Sequence, residues 1–126
     1  MRIEHLAIWV EDLEKMKDFY CKYFNGVSNN KYVNSKKGFE SYFVSFENST
    51  RIELMKRKDI EEKNLKKVLG LAHLAFKMES KEKVDKLTEI LRKDGYKVVG
   101  EPRTTGDGYY ESVILDPEGN RIELVR

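Results

Sequence analysis

The chain is poor in the residues that most often carry chemistry. Among 126 residues it has two histidines, one cysteine, one tryptophan and two prolines. A single cysteine, Cys21, excludes an internal disulfide and fits a reducing compartment, so a cytoplasmic location is expected. No apolar run approaches the length that spans a bilayer, and Arg2 is followed by only a short mixed segment, so neither a membrane span nor a signal peptide is expected. Charge of one sign is lacking too. Lys and Arg number 24 against 22 Asp and Glu, a net +2, whereas a nucleic-acid footprint needs basic residues massed on one face. The short runs Lys36-Lys37 and Lys56-Arg57-Lys58 read as solvated turns or strand ends. Disorder is excluded in turn, because 40% of the residues are hydrophobic and recur throughout. A chain of this length suits one domain with a buried core.

What the chain does have is repetition. The tetrapeptide Arg51-Ile52-Glu53-Leu54 returns letter for letter as Arg121-Ile122-Glu123-Leu124. His5-Leu6-Ala7 returns as His73-Leu74-Ala75, in the same order and at nearly the same interval. Two words that keep register indicate a duplicated unit of about 55 residues. We divide the single domain, residues 1–126, into module one (2–57), a linker (58–69) and module two (70–126).

Each module reads as strand, helix and three strands. In module one, residues 2–10 alternate, with Leu6, Ile8 and Val10 on one face and Ile3, His5, Ala7 and Trp9 on the other. Asp12 caps a helix bearing Leu13, Met16, Phe19, Tyr20, Tyr23 and Phe24, and Cys21 reads as a small buried apolar residue on it. Asn25-Gly26 ends the helix, with Gly26 expected in the left-handed conformation. Strand-like runs follow to Met55, including 41–47 and 50–55, and Glu47-Asn48-Ser49 takes the place that Pro117-Glu118-Gly119 holds in module two. The span 59–69 is charged and compatible with a helix. In module two, Leu74, Phe76 and Met78 face away from His73, Ala75 and Lys77, and Ser80 caps a helix carrying Val84, Leu87, Ile90 and Leu91, closed by Asp94-Gly95. Strands are expected over 96–99, 109–115 and 120–125, the last opened by an Asp-Pro-Glu-Gly turn. Gly106-Asp107-Gly108 is a turn or loop, because no helix start follows to make it a phosphate cradle.

Both histidines hold the same place in their modules, and so do Glu53 and Glu123. Taken singly, each has an ordinary alternative: a hydrogen-bonded strand histidine, a solvated strand glutamate. Taken together, in register, two imidazoles and two carboxylates suit a divalent transition metal, with coordination positions left for water or substrate oxygens. Two carboxylates also balance the ion's charge.

From "IEHLAIWVEDLEKMKDFYCKYF" through "LAHLAF" to "LDPEGNRIELV", the chain resembles the vicinal oxygen chelate superfamily: glyoxalase I, methylmalonyl-CoA epimerase, extradiol dioxygenases, and fosfomycin and bleomycin resistance proteins. The resemblance implies an α+β fold of two repeated βαβββ modules forming a cup-shaped mixed sheet. It is closest to metal-dependent glyoxalase I (lactoylglutathione lyase), and implies His5, Glu53, His73 and Glu123 as ligands of Ni, Co, Zn, Mn or Fe. It also implies conversion of a 2-oxoaldehyde–thiol hemithioacetal to a 2-hydroxyacyl thioester through an enediolate. Glu123 would be the base, and Glu53 a ligand or reciprocal base. Trp9 stands near the place where glutathione-using relatives carry Arg, which argues against glutathione as the thiol.

Trp9, Tyr109 and Tyr110 are candidates for a substrate pocket, with ordinary sheet packing as the alternative, and Arg103 or Lys77 for holding an anionic group. No third histidine is present for dioxygenase acid–base work, and a fosfomycin-type site would leave Glu53 superfluous. A drug- or metabolite-binding protein of bleomycin-resistance type and a methylmalonyl-CoA epimerase-like enzyme remain the alternatives. The expected partners are a small-molecule substrate and a second copy of the chain, in a homodimer whose site is shared between chains.

Overall fold

The computed structural model describes residues 1–47, 49–63, 66 and 68–126, which divide into two compact units, Met1–Asn64 and Leu65–Arg126. The fold is α+β, with one sheet and one helix among the described residues of each unit.

The first unit runs β1 (His5–Trp9), α1 (Leu13–Phe24), β2 (Val27–Ser28), β3 (Tyr32–Asn34), β4 (Phe39–Ser45) and β5 (Arg51–Arg57). Its sheet order is β1-β5-β4-β2, and β3 also pairs with β4. The short strands β2 and β3 thus form one interrupted strand along β4. They are joined through Asn29, whose amide nitrogen donates to the Phe43 carbonyl (3.0 Å) and whose side-chain oxygen accepts from the Phe43 amide (2.8 Å). The first repeated words are neighbours, since β1 lies parallel to β5 with Ala7 opposite Glu53.

Helix α1 starts where Asp12 accepts from the Lys15 amide (3.0 Å) and packs on β4 and β5. Its buried residues Leu13, Met16, Phe19 and Tyr20 meet the sheet face carrying Tyr42, Val44, Ile52 and Leu54. Cys21 is half-buried rather than buried, because it sits at the margin of that apolar stripe. At the end of the helix Asn25, not Gly26, adopts the left-handed conformation (φ 54°). Gly26 serves another need, close approach. A Cβ there would stand 2.4 Å from Val44 Cγ1 and 3.0 Å from the Tyr20 carbonyl oxygen.

The second unit runs β6 (Leu74–Lys77), α2 (Lys81–Lys93), β7 (Val98–Thr104), β8 (Tyr110–Leu115) and β9 (Arg121–Val125), with sheet order β6-β9-β8-β7. Again the repeated words are neighbours: β6 lies parallel to β9, with Ala75 opposite Glu123. Ser80 caps α2, which buries Val84, Thr88 and Leu91 against the sheet. Ile90, expected in that stripe, is exposed; Thr88 takes the core position by spending its hydroxyl on the Val84 carbonyl and on Ser112 Oγ, both at 2.7 Å.

Strand β7 runs past its expected end at residue 99 and through Pro102. An edge strand tolerates proline, and two register shifts against β8 flank Gly100, whose absent Cβ would meet Val113 at 3.0 Å. The Asp-Pro-Glu-Gly turn is held by Asp116, which accepts from the Glu118 and Asn120 amides (2.9 Å each) and from Asn120 Nδ2 (2.8 Å). Gly119 supplies its positive φ of 90°.

In the span expected to be helix-compatible, the described residues 59–63, 66, 68 and 69 form no helix, and 64, 65 and 67 lie outside the described residues, as does Asn48 of the expected Glu47-Asn48-Ser49 turn.

Candidate functional site

Alternation along the strands sorts the side chains. On β5, Ile52 and Leu54 go under α1, so Arg51, Glu53, Met55 and Arg57 occupy the opposite face. In-register pairing brings His5, Ala7 and Trp9 of β1 to that face on one side of Glu53, and Phe43 of β4 on the other. Directly across from Glu53, Ala7 projects only a methyl group and leaves room above the carboxylate. His5, two residues before it, reaches over: Nε2 stands 3.8 Å from Glu53 Oε2. The Glu53 side chain is 16% exposed and the imidazole 40%.

The second unit repeats this construction. Ala75 lies opposite Glu123, and His73 Nε2 stands 3.3 Å from Glu123 Oε2, with side-chain exposures of 40% and 19%. Within each pair an imidazole nitrogen and a carboxylate oxygen face one another. Two donors bound at about 2.1 Å to one ion, at right angles, stand about 3 Å apart. The second pair is close to that separation and the first reaches it by a small rotation of either side chain, so the donor set suits a first-row divalent ion. The structure brings the four residues expected as ligands together two by two. Among the described residues, no group of three or more His, Cys, Asp or Glu side chains is placed to hold an ion.

Around His5 the structure adds residues that the sequence reading passed over. Glu4 Oε2 accepts from His5 Nδ1 at 2.5 Å, and Glu4 Oε1 takes a charged hydrogen bond from Arg51 Nη2. The hydrogen bond from His5, and after it the Arg51 guanidinium, hold the Glu4 carboxyl below its ordinary value against a partial loss of hydration. The Arg51 guanidinium lies 4.3 Å from the Phe43 ring centroid, and Phe43 meets His5 edge-to-face at 5.3 Å. Arg51 belongs to a repeated word, a visible signal; Glu4 and Phe43 do not.

The candidate pocket residues fare differently. Trp9 shares the His5 face and is exposed, with Phe39 edge-on at 6.2 Å and the Arg57 guanidinium over it at 5.5 Å. Tyr110 lies on the other face of its sheet from Glu123. Strand β8 alternates, Ser112 and Ile114 go under α2, and Tyr110 goes with them, donating from its hydroxyl to Asp85 Oδ1 (2.7 Å). That bond raises the Tyr110 pKa, because the neighbouring carboxylate opposes phenolate formation. Tyr110 thus takes the sheet-packing alternative, on the face away from Glu123. Tyr109 is exposed just before β8, its carbonyl accepting from the Thr105 amide (2.8 Å). Arg103 is paired with Glu111 at 3.5 Å, so an incoming anion would compete with a carboxylate already there. Lys77 lies on β6 two residues beyond Ala75, on the His73 face.

Comparison with known proteins identifies the family and the fold. The family model for the glyoxalase/bleomycin resistance protein/dioxygenase superfamily matches residues 2–124. An uncharacterized Bacillus subtilis protein, YqjT, is 30% identical over 98% of this chain and 97% of its own length. Glyoxalase I from Zea mays superposes with a TM-score of 0.82 at 23% identity over 98% of this chain, which spans 44% of the maize chain. The trypanothione-dependent glyoxalase I of Leishmania major gives 0.80 at 23% identity, over all of this chain and 86% of its own. At such identities the two enzymes speak for the fold. No helix among the described residues is long and apolar enough to cross a membrane. With the family model spanning nearly the whole chain and the same His–Glu pair built twice, the chain belongs to the glyoxalase/bleomycin resistance protein/dioxygenase superfamily.

Proposed function

We propose that the protein is a metal-dependent lyase of the glyoxalase I type, converting a 2-oxoaldehyde–thiol hemithioacetal to a 2-hydroxyacyl thioester. The observation that carries this reading is the repeated imidazole–carboxylate pair, in the same register and opposite the same small residue in both units. His5, Glu53, His73 and Glu123 would hold one divalent ion, with one pair drawn from each chain of a homodimer. When bound, the ion would supply Lewis acidity that lowers the cost of negative charge on the substrate's oxygens.

The remaining work falls to side chains. Glu123 takes the proton from the carbon bearing sulfur and returns it to the neighbouring carbon, while the hydroxyl proton passes from the first carbon's oxygen to the second's, so that the hydroxyl–carbonyl pair is transposed with no external oxidant. Glu53 stays a ligand, or takes the reciprocal role for the opposite hand of substrate. Phe43, Phe39 and Trp9 form an apolar flank to the first pair.

The test is a panel of hemithioacetals made from several thiols, with methylmalonyl-CoA alongside, given to metal-reconstituted protein. Turnover of a hemithioacetal, with loss of the rate and retention of the metal in Glu123→Gln, is the expected result. Turnover of methylmalonyl-CoA alone would move the assignment to an epimerase. Binding without turnover of any substrate, in protein that takes up no metal, would make it a sequestering protein.

A further inference from the structure

We propose that Glu4 is a positioning residue that fixes the tautomer and orientation of His5, making the first His–Glu pair a preset half-site and leaving the second adjustable. This deepens the metal reading above and rests on it for its consequence, though not for its geometry.

The bond between Glu4 Oε2 and His5 Nδ1 has one polarity. An ionised carboxylate only accepts, so Nδ1 carries the proton, and a neutral imidazole then keeps its lone pair on Nε2. Nε2 is the nitrogen that faces Glu53. Glu4 is itself held at two further points. Its carbonyl accepts from the Arg51 amide (3.1 Å), continuing the β1–β5 pairing by one residue, and its other carboxylate oxygen is bound by the Arg51 side chain. Arg51 covers Phe43, and Phe43 abuts the His5 ring edge-to-face, which closes a circuit of four side chains. Each contact alone is weak, since Glu4 and Arg51 are partly solvated. Together they restrict the two motions that would spoil a ligand, rotation of the ring and migration of the proton.

The second unit lacks two parts of the circuit. Arg121 repeats Arg51, but Ala72 precedes His73 where Glu4 precedes His5, and Val113 stands across from Glu123 where Phe43 stands across from Glu53. The duplication is therefore unequal at the one place where ligand orientation is set. His73 is the internal control.

Long-range proton–nitrogen correlation spectra of the metal-free full chain at about pH 8 read the tautomer of each histidine directly, and only two need assigning. His5 is expected as the Nδ1–H form in the wild type and in Glu4→Gln, whose amide oxygen still accepts. In Glu4→Ala it is expected to move toward the Nε2–H form, with His73 unchanged. Cobalt titration of the same proteins should show affinity falling roughly 10- to 100-fold in Glu4→Ala, the usual effect of losing a ligand's outer partner, and recovering in Glu4→Gln. A wild-type His5 in the Nε2–H form, or a Glu4→Ala protein with unchanged tautomer and affinity, overturns the proposal. Wild-type protein that binds no cobalt while His5 shows the expected tautomer and its dependence on Glu4 would refute the metal reading and leave the positioning role standing.

Discussion

If each ion is held by the first pair of one chain and the second pair of another, two inactive variants should restore each other. The perturbation is a first-pair variant, His5→Ala with Glu53→Gln, mixed with a second-pair variant, His73→Ala with Glu123→Gln. Each substitution falls within one unit, and both pairs are built from residues of their own unit alone. Each homodimer then carries a broken half in both of its sites. In the mixed dimer one site collects both broken halves and the other collects both intact ones. Random pairing of equal amounts makes about half of the dimers mixed, each with one working site of two, so about one quarter of wild-type sites should return. The assay is metal content and turnover after co-expression with two different affinity tags. Near one quarter of wild-type binding supports shared sites. No recovery in tag-verified mixed dimers would refute that arrangement, because a site built within one chain is broken in every variant chain.

Other predictions concern the frame that holds the pairs. Gly26→Ala should destabilise the fold by about 1–2 kcal/mol, since overpacking against buried Val44 outweighs the few tenths gained from a stiffer unfolded chain, and thermal denaturation should show most of the loss relieved in Gly26→Ala/Val44→Ala relative to Val44→Ala alone. Thr88→Val should cost about 1–3 kcal/mol by leaving the buried Ser112 hydroxyl without its partner, and adding Ser112→Ala should return part of it in urea melts. Glu14 is held below its ordinary carboxyl value by Lys31 first and by Tyr42 after it, so its contribution is present above about pH 4.5 and lost as pH falls through the lower folded value; the acid limb of the stability curve should be shallower in Glu14→Gln.

The repeated words were legible because strands record both faces in a period of two, and the same faces came out in the structure: Ile52 and Leu54 beneath a helix, Glu53 away from it, and likewise in the second unit. What could not be read were facts of pairing. Phe43 becomes a neighbour of Glu53 only through the β4–β5 register, and Glu4 binds Arg51 only because β1 and β5 are parallel and adjacent. The choice between pocket and sheet packing for Tyr110 needed a related fact, since a run of strand residues shows two faces but not which one the helix covers until Ser112 and Ile114 are seen beneath α2. Helical spacing has a similar limit. Ile90 and Thr88 are both near enough to the stripe to be buried, and a hydroxyl with two partners took the core place from an aliphatic. Gly26 shows that a glycine after a helix can answer to packing while Asn25 makes the left-handed turn.

X-ray absorption of protein loaded with one cobalt or nickel ion per chain counts the imidazoles on the metal. Two imidazoles with oxygen donors and no sulfur is the expected shell, because the proposed centre draws both pairs onto one ion. One imidazole per metal would mean that each His–Glu pair binds alone, and the four-residue centre would have to be given up.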